Sequence, residues 1–359
     1  MLRLALRGRM KRINHLYKQI YAFENLHEAY KQARKGKRFR NDVLKFTHNL
    51  EENLITIQNE LIWKTYRVGR YREFFVHDPK KRLIMALPFK DRVVQWAIYR
   101  ILNPLLEKSY INNSYACRVG YGSLRAVRKI QYWMRKMHRA GQEIYVLKMD
   151  VSKYFYRVDH DILVRILQSK IKDRDLLWLL ETIIRCEHTD FGLGVDDTGV
   201  TGAKVSSVGM PIGNLTSQMF ANLYLNELDQ HCKQDLRLKW YARYMDDVLV
   251  LSGSKTELRR AWFEIDAYLR CALRLRLNGK TCIRSITQGV EFCGFRIWPE
   301  KMRLKKKTAL KMRRAVKGII KHRPASALAS LASYKGLAEH VSGDGLARIV
   351  SDAIAQLRN

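Results

Sequence analysis

Three kinds of hydrophobic pattern divide the chain. The first is alternation. "EFFVHDPKKRLIMALPF" (73–89) reads as a hairpin with its turn at Asp78-Pro79, and "YARYMDDVLVLS" (241–252) as strand, turn, strand. "GVEFCGFRIW" (289–298) reads as a further short strand pair, and "QEIYVLKMD" (142–150) as an apolar, β-branched strand that ends on an acid. The second is helical spacing, in "KDRVVQWAIYRILNPLLEKSY" (90–110), in "DHDILVRILQSKI" (159–171) with Asp159 as N-cap, and in the amphipathic "NLTSQMFANLYLNELDQHCKQ" (214–234). The third is the lack of period in "DFGLGVDDTGVTGAKVSSVGM" (190–210), which reads as a Gly-rich loop. Residues 1 to about 70 and the stretch after Lys301 read as helical. Strands and helices are interleaved along the chain, and no internal repeat or long linker separates its parts.

Charge then narrows the function. Sixty-seven Lys and Arg face 34 Asp and Glu, a formal net charge of +33 on a 359-residue chain that is 47% hydrophobic. Such a chain builds a full core and still carries a large positive excess, which points to a polyanion, most simply nucleic acid. A basic membrane-surface protein is the competing reading. No apolar run reaches the roughly 18 residues a spanning helix needs. "MLRLALRGRMKR" is too interrupted by Arg for a signal peptide, so a cytoplasmic location is expected. The six cysteines form no CxxC pair and no zinc spacing, and read as reduced thiols. The run from Lys301 to Arg323 has no acid at all, and "KGKRFR" (35–40) is a second cationic run.

Against that background Asp246 and Asp247 stand out. Adjacent carboxylates in apolar surroundings repel each other and lose hydration, so something must compensate them. If the strand ending at Asp150 lies beside the 241–252 hairpin, three carboxylates converge at one sheet edge. That is the oxygen-rich setting that magnesium takes up together with substrate phosphates.

These residues resemble those of a known family. Tyr244-Met245-Asp246-Asp247 is similar to the YxDD box of reverse transcriptases, and "KMDVSKYFYRVDHDIL" looks like their first catalytic motif. "KKRLIMALPFKDRVVQWAI" resembles their fingers motif, "SYACRVGYGSLRAV" their second, and "GMPIGNLTSQMFANLYLNELD" their fourth. "LNGKTCI" resembles the sixth, and "VEFCGFRI" the primer-grip hairpin. The order is kept from about residue 70 to 300. The resemblance implies an α+β right-hand polymerase: a basic helical extension (1–70), fingers (71–145), a palm with an antiparallel sheet (146–300) and a fingers insertion at about 165–208, and a helical thumb (301–359).

It also implies roles. Asp150, Asp246 and Asp247, with the Val151 carbonyl, would hold two Mg2+ ions, for which Mn2+ can substitute. Lys81, Arg82, Arg118, Phe155, Ile212, Gly213 and Lys280 would surround the deoxynucleoside triphosphate, with Phe155 as the gate against a 2′-hydroxyl. Ser217, Gln218, Phe292, Gly294, Lys305, Lys306 and Lys307 would meet the RNA/DNA template–primer. Ile212-Gly213-Asn214-Leu215-Thr216-Ser217-Gln218 replaces the usual Gln-Gly and Ser-Pro pattern and looks like the enzymes of diversity-generating retroelements. That branch implies adenine-directed errors in the cDNA and a small basic accessory protein, with the oligomeric state left open. No NAxxH motif of retrons is found. The chain also shows no zinc or HNH pattern after the thumb region, which on the resemblance argues against a mobile intron protein. A group II intron-like or retron-type enzyme of ordinary fidelity, and a non-catalytic RNA-binding maturase or defence protein, are the alternatives.

Overall fold

The computed structural model describes residues 12–77, 81–186, 191–196, 199–343 and 345–358. Side chains at 81–82, 194–196, 199–204 and 358 lie outside the description, as does the turn expected at Asp78-Pro79. Helices α1 (Tyr17–Tyr21), α2 (Phe23–Ala33), α3 (Asn41–His48) and α4 (Leu50–Ile62) precede the hairpin β1 (Arg72–His77) and β2 (Lys81–Ala86). Then come α5 (Phe89–Glu107), α6 (Ser123–Arg139), β3 (Tyr145–Asp150), α7 (Tyr154–Arg157), α8 (His160–Lys170) and α9 (Arg174–Ile184). A hairpin of β4 (Gly192–Asp196) and β5 (Gly199–Val205) leads into α10 (Leu215–Gln230), β6 (Trp240–Tyr244), β7 (Asp247–Ser252) and α11 (Lys255–Leu273). The chain finishes with β8 (Cys282–Ser285), β9 (Val290–Phe292), β10 (Phe295–Ile297), β11 (Met302–Leu304), α12 (Lys306–His322), α13 (Ala327–Ala338) and α14 (Leu346–Arg358). No described helix is long and apolar enough to cross a membrane.

Two compact units result. One comprises residues 1–112, 150–237 and 263–279; the other comprises 113–149, 238–262 and 280–359. In the first, α10 is nearly enclosed. Apart from half-buried Gln218, Thr216 through Asp229 are buried, where the sequence pattern suggests an amphipathic helix. Its N-terminal end is held by the fold: Leu215 N–H donates to Gln95 Oε1, and Asn214 Nδ2 to the Tyr71 hydroxyl. The expected cap of α8 is present, with Asp159 Oδ1 accepting from Ile162 N–H at 2.9 Å.

The Gly-rich stretch expected to be a loop instead forms the antiparallel β4–β5 pair. Its glycines serve close packing. Gly209 has φ +95°, and a Cβ there would stand 2.7 Å from Gly192 Cα. The segment around Gly209 docks on α7 and the residue that follows it, through Met210 N–H to the Phe155 carbonyl and Gly209 N–H to the Val158 carbonyl.

The second unit is built on the sheet β6-β7-β3-β8, with β11-β10-β9 as a second small sheet. Helix α6 lays Ala126, Val127, Ile130, Trp133, Met134 and Met137 into a core shared with Val146, Ala242, Leu249, Leu251 and Phe292. The helix expected to start at Lys301 starts at Lys306, because Met302–Leu304 alternates buried, exposed, buried and pairs with β10. A three-residue strand is too short to be told from a helical turn by its own pattern; its partner decides it.

Candidate active site

In the second unit the site is a hairpin. Tyr244 pairs with Asp247, so β6 and β7 are joined by the two-residue turn Met245-Asp246. Met245 has φ 54°, a left-handed conformation that side chains other than Gly rarely take and that two-residue hairpins demand of a central position. The preceding strand explains how the turn is held. Arg243 is 0% exposed, and its guanidinium donates to the Met245 carbonyl and to Ser114 Oγ, each at 3.0 Å. Its backbone is stitched to the second motif, with Arg243 N–H donating to the Asn113 carbonyl and Tyr115 N–H to the Arg243 carbonyl.

Strand β3, the neighbour of β7, ends at Asp150. Lys148 stands on the same face of β3 as Asp150, because side chains alternate along a strand. Its Nζ lies 4.0 Å from Asp247 Oδ1, both side chains about one-third exposed. The β9–β10 turn also comes near: Cys293, at φ 48°, has its thiol pushed up by burial and further by the Asp247 charge, with Lys148 opposing.

Asp150 opens the chain's return to the first unit. The segment of the sixth motif grips it from both sides: Asn278 N–H donates to the Asp150 carbonyl at 2.7 Å and Asn278 Nδ2 to Asp150 Oδ2 at 3.1 Å. Val151 forms an antiparallel bridge with Leu277, and Ser152 N–H donates to the Arg276 carbonyl. Of the three aromatic residues that follow, Tyr154 is 2% exposed and its hydroxyl donates to the Ala221 carbonyl. Phe155 is left half-buried beside it. On α10's entry, Met85 N–H donates to the Ile212 carbonyl, and Gly213 has φ +115° with Ile84 Cγ2 at 3.4 Å from where a Cβ would stand.

The other expected residues fall into groups. Lys81 and Arg82 open β2, and their side chains are outside the description. Arg118 is committed within the protein: it donates to the Ser114 carbonyl and lies 3.9 Å over the Tyr121 ring, which Arg125 also covers at 4.1 Å. Ser217 and Phe292, expected against the template–primer, are 4% and 1% exposed and belong to the core. Burying a phenylalanine contributes about 1.5–3 kcal/mol, and the inward face of β9 claims it. Gln218 is half-buried, and Lys280 and Gly294 are exposed.

Lys305 is paired with Glu291 at 2.6 Å, while Lys306 and Lys307 are exposed on the first turn of α12. Burial works against the Glu291 charge, but its bonds from Lys305 and Arg296 hold its carboxyl below the ordinary range. Lys148, Arg243 and Asn278 escape sequence reasoning. Each sits beside a motif acid or within a motif, but each acts on a residue contacted through the fold.

Among the described residues no group of three or more His, Cys, Asp or Glu side chains stands ready to hold a metal ion. The donors that the three Asp residues offer are hard carboxylate oxygens. The soft group beside Asp247, the Cys293 thiol, has its pKa pushed up by burial. This donor set suits magnesium, which takes one or two carboxylates and completes its shell with water and substrate phosphates.

Residues 77–297 match the reverse transcriptase (RNA-dependent DNA polymerase) family, and the chain belongs to it. It is therefore an RNA-directed DNA polymerase with the fold of that family. Among curated proteins it is similar to Protein YkfC of Escherichia coli (strain K12), 26% identical over 283 residues, 69% of this chain and 72% of YkfC. It is also similar to the group II intron-encoded protein LtrA of Lactococcus lactis subsp. cremoris, 25% identical over 193 residues, 53% of this chain and 30% of LtrA. Among solved structures, telomerase from Candida albicans in complex with a fragment of telomeric RNA aligns with a TM-score of 0.48 at 14% identity. The alignment covers 81% of this chain and 62% of that one.

Proposed function

We propose that this reverse transcriptase copies a template RNA into error-prone, adenine-mutagenised cDNA as the polymerase of a diversity-generating retroelement. One observation carries the branch: Ile212-Gly213-Asn214-Leu215-Thr216-Ser217-Gln218 stands where most of the family has glutamine and Ser-Pro. A glutamine amide beside the incoming nucleotide can hydrogen-bond near its sugar; isoleucine has no donor or acceptor. A neutral bond of that kind contributes about 0.5–1.5 kcal/mol, enough to change discrimination several-fold. The preference for adenine comes from the family resemblance alone. The likeness to LtrA favours a second reading, a group II intron-like enzyme of ordinary fidelity.

In the proposed mechanism Asp150, Asp246, Asp247 and the Val151 carbonyl hold two Mg2+ ions, with Mn2+ as substitute. When bound, the metal supplies a lowered pKa for the attacking 3′-hydroxyl and charge neutralisation at the phosphates. The protein's own residues do the rest. Asn278 orients the Asp150 carboxylate, Phe155 closes the space a 2′-hydroxyl would need, and residues 71–145 act as fingers over the triphosphate. Residues 301–359 act as thumb, where the positive end of α12 with Lys306 and Lys307 offers phosphates a cationic seat. Lysines at a helix N-terminus are unfavourable alone and favourable against an anion. A small basic accessory protein is the proposed partner beside template RNA, primer and deoxynucleotides.

Two measurements test this. Asp246→Asn and Asp247→Asn each abolish primer extension while RNA binding stays near wild type; extension by both variants at wild-type rate removes the catalytic assignment. Sequencing cDNA from wild type and Ile212→Gln on one template shows fewer errors opposite adenine in the variant. Equal error spectra show that Ile212 marks lineage without setting fidelity.

A further inference from the structure

We propose that Arg243 is a positioning residue for catalysis, fixing the Met245-Asp246 turn in the conformation that aims the carboxylates. The proposal rests on the reading of Asp246 and Asp247 as catalytic.

The geometry behind it lies within one unit of the fold. The turn has two central residues, and the first, Met245, is held at φ 54°, where a residue with a Cβ stays only if its surroundings dictate it. The carbonyl of that residue accepts from Arg243 Nη1 at 3.0 Å, so a bond fixes the peptide that joins Met245 to Asp246. The other arm of the guanidinium reaches Ser114 Oγ at 3.0 Å. Ser114 forms a parallel bridge with Arg243, and the flanking Asn113 and Tyr115 bond the Arg243 backbone. The turn is thereby tied to the 113–115 segment.

A fully buried guanidinium is a costly way to fill a strand position, since an apolar side chain of similar volume packs there without desolvation. What arginine adds is a rigid planar fork that addresses two acceptors in fixed directions. Lysine keeps the charge and cannot do that.

The test uses the full chain extending a DNA primer on an RNA template, with Arg243→Lys and Met245→Gly made singly and together. Arg243→Lys lowers kcat about tenfold to a hundredfold, the effect expected for one charge-assisted bond. KM for the nucleotide and the Kd for template–primer move by less than about threefold. Glycine adopts positive φ without strain. Met245→Gly therefore restores at least about fivefold of kcat in the Arg243→Lys background, a gain it does not give to wild type. A role in general stability would not produce that rescue.

The proposal is overturned if Arg243→Lys keeps kcat within about threefold of wild type, or if Met245→Gly changes kcat by one factor in both backgrounds. If Arg243→Lys does not fold, Ser114→Ala takes its place. It lowers kcat about threefold to tenfold with the same rescue, and an unchanged kcat there overturns the proposal. Asp246→Asn is measured alongside. Full activity in that variant removes the catalytic reading of the turn, whereas its inactivity beside a fully active Arg243→Lys removes the positioning role alone.

Discussion

The ammonium of Lys148 lies 4.0 Å from the carboxylate of Asp247, on the strand position two before Asp150. A fixed cation beside a proposed metal ligand partly neutralises it and also repels an incoming divalent ion. Both side chains are about one-third exposed, so the pair contributes at most about 1 kcal/mol. Lys148→Met is therefore expected to lower the half-saturating Mg2+ concentration for primer extension, by up to about fivefold. A magnesium titration of both proteins at one nucleotide concentration checks it. A rise in the half-saturating concentration would mean that Lys148 supports metal binding.

Phe155 is the second test. Tyr154 is locked into the core by its bond to the Ala221 carbonyl, so of the two neighbouring rings only Phe155 retains substantial exposed surface. Phe155→Val is expected to raise ribonucleotide incorporation relative to deoxynucleotide by about tenfold or more, since the barrier it removes is steric and each 1.36 kcal/mol counts tenfold. Competition between the two nucleotides on one template measures the ratio. An unchanged ratio would make Phe155 a packing residue.

Much of this arrangement is legible in the sequence, and what is not has physical causes. The β6–β7 hairpin, the strand ending at Asp150 and the Asp159 cap follow from local alternation and capping chemistry. Local pattern fails where a partner decides the structure. Met302–Leu304 is a strand because β10 pairs with it, and the glycines around 192–209 form a hairpin because chains must approach closely there. Motif position alone would set Ser217 and Phe292 against nucleic acid, yet the fold buries both. Lys148, Arg243 and Asn278 bind residues that only tertiary structure brings near or orients: 99 positions separate Lys148 from Asp247 in the numbering, and 128 separate Asn278 from Asp150.

The start of α12 gives a prediction that separates three neighbouring lysines. Lys305 is held by Glu291 at 2.6 Å, whereas Lys306 and Lys307 stand exposed at the helix N-terminus. Neutralising one lysine that pairs with a phosphate takes roughly 0.7–0.9 from the slope of log affinity against log salt. Lys306→Gln with Lys307→Gln is expected to flatten the slope for template–primer by about 1.5, and Lys305→Gln by less than about half a unit. Fluorescence anisotropy across a salt series reads both slopes. Equal effects from all three positions would show that Glu291 releases Lys305 when nucleic acid binds.

The last prediction concerns acid stability and begins at His160. It is 5% exposed, its Nε2 lies 2.7 Å from the Gly209 carbonyl, and its Nδ1 is buried with no hydrogen-bond partner. Since the carbonyl only accepts, Nε2 carries the proton and Nδ1 is bare in the neutral ring. Burial depresses the pKa; the bond to Gly209 and the charges of Asp159 and Asp161 oppose that, and Arg185 adds to it. A second proton at Nδ1 would be enclosed without an acceptor, at the first residue of α8, where the helix dipole also disfavours positive charge. In the unfolded chain His160 takes up a proton near its ordinary pKa of about 6.5. The folded pKa is the lower one, so the stabilisation is fully present above about pH 6.5 and is lost as pH falls towards the folded value. Thermal melting between about pH 7.5 and pH 5 is therefore expected to show a falling Tm in wild type. His160→Gln has no titrating group at this position, so its Tm starts lower and falls less steeply over the same range. Parallel slopes in the two proteins would show that the acid sensitivity arises elsewhere. Because Gly209 precedes Ile212 and Gly213 on the loop that His160 pins, the same variant is expected to raise nucleotide KM at neutral pH while leaving template–primer affinity in place.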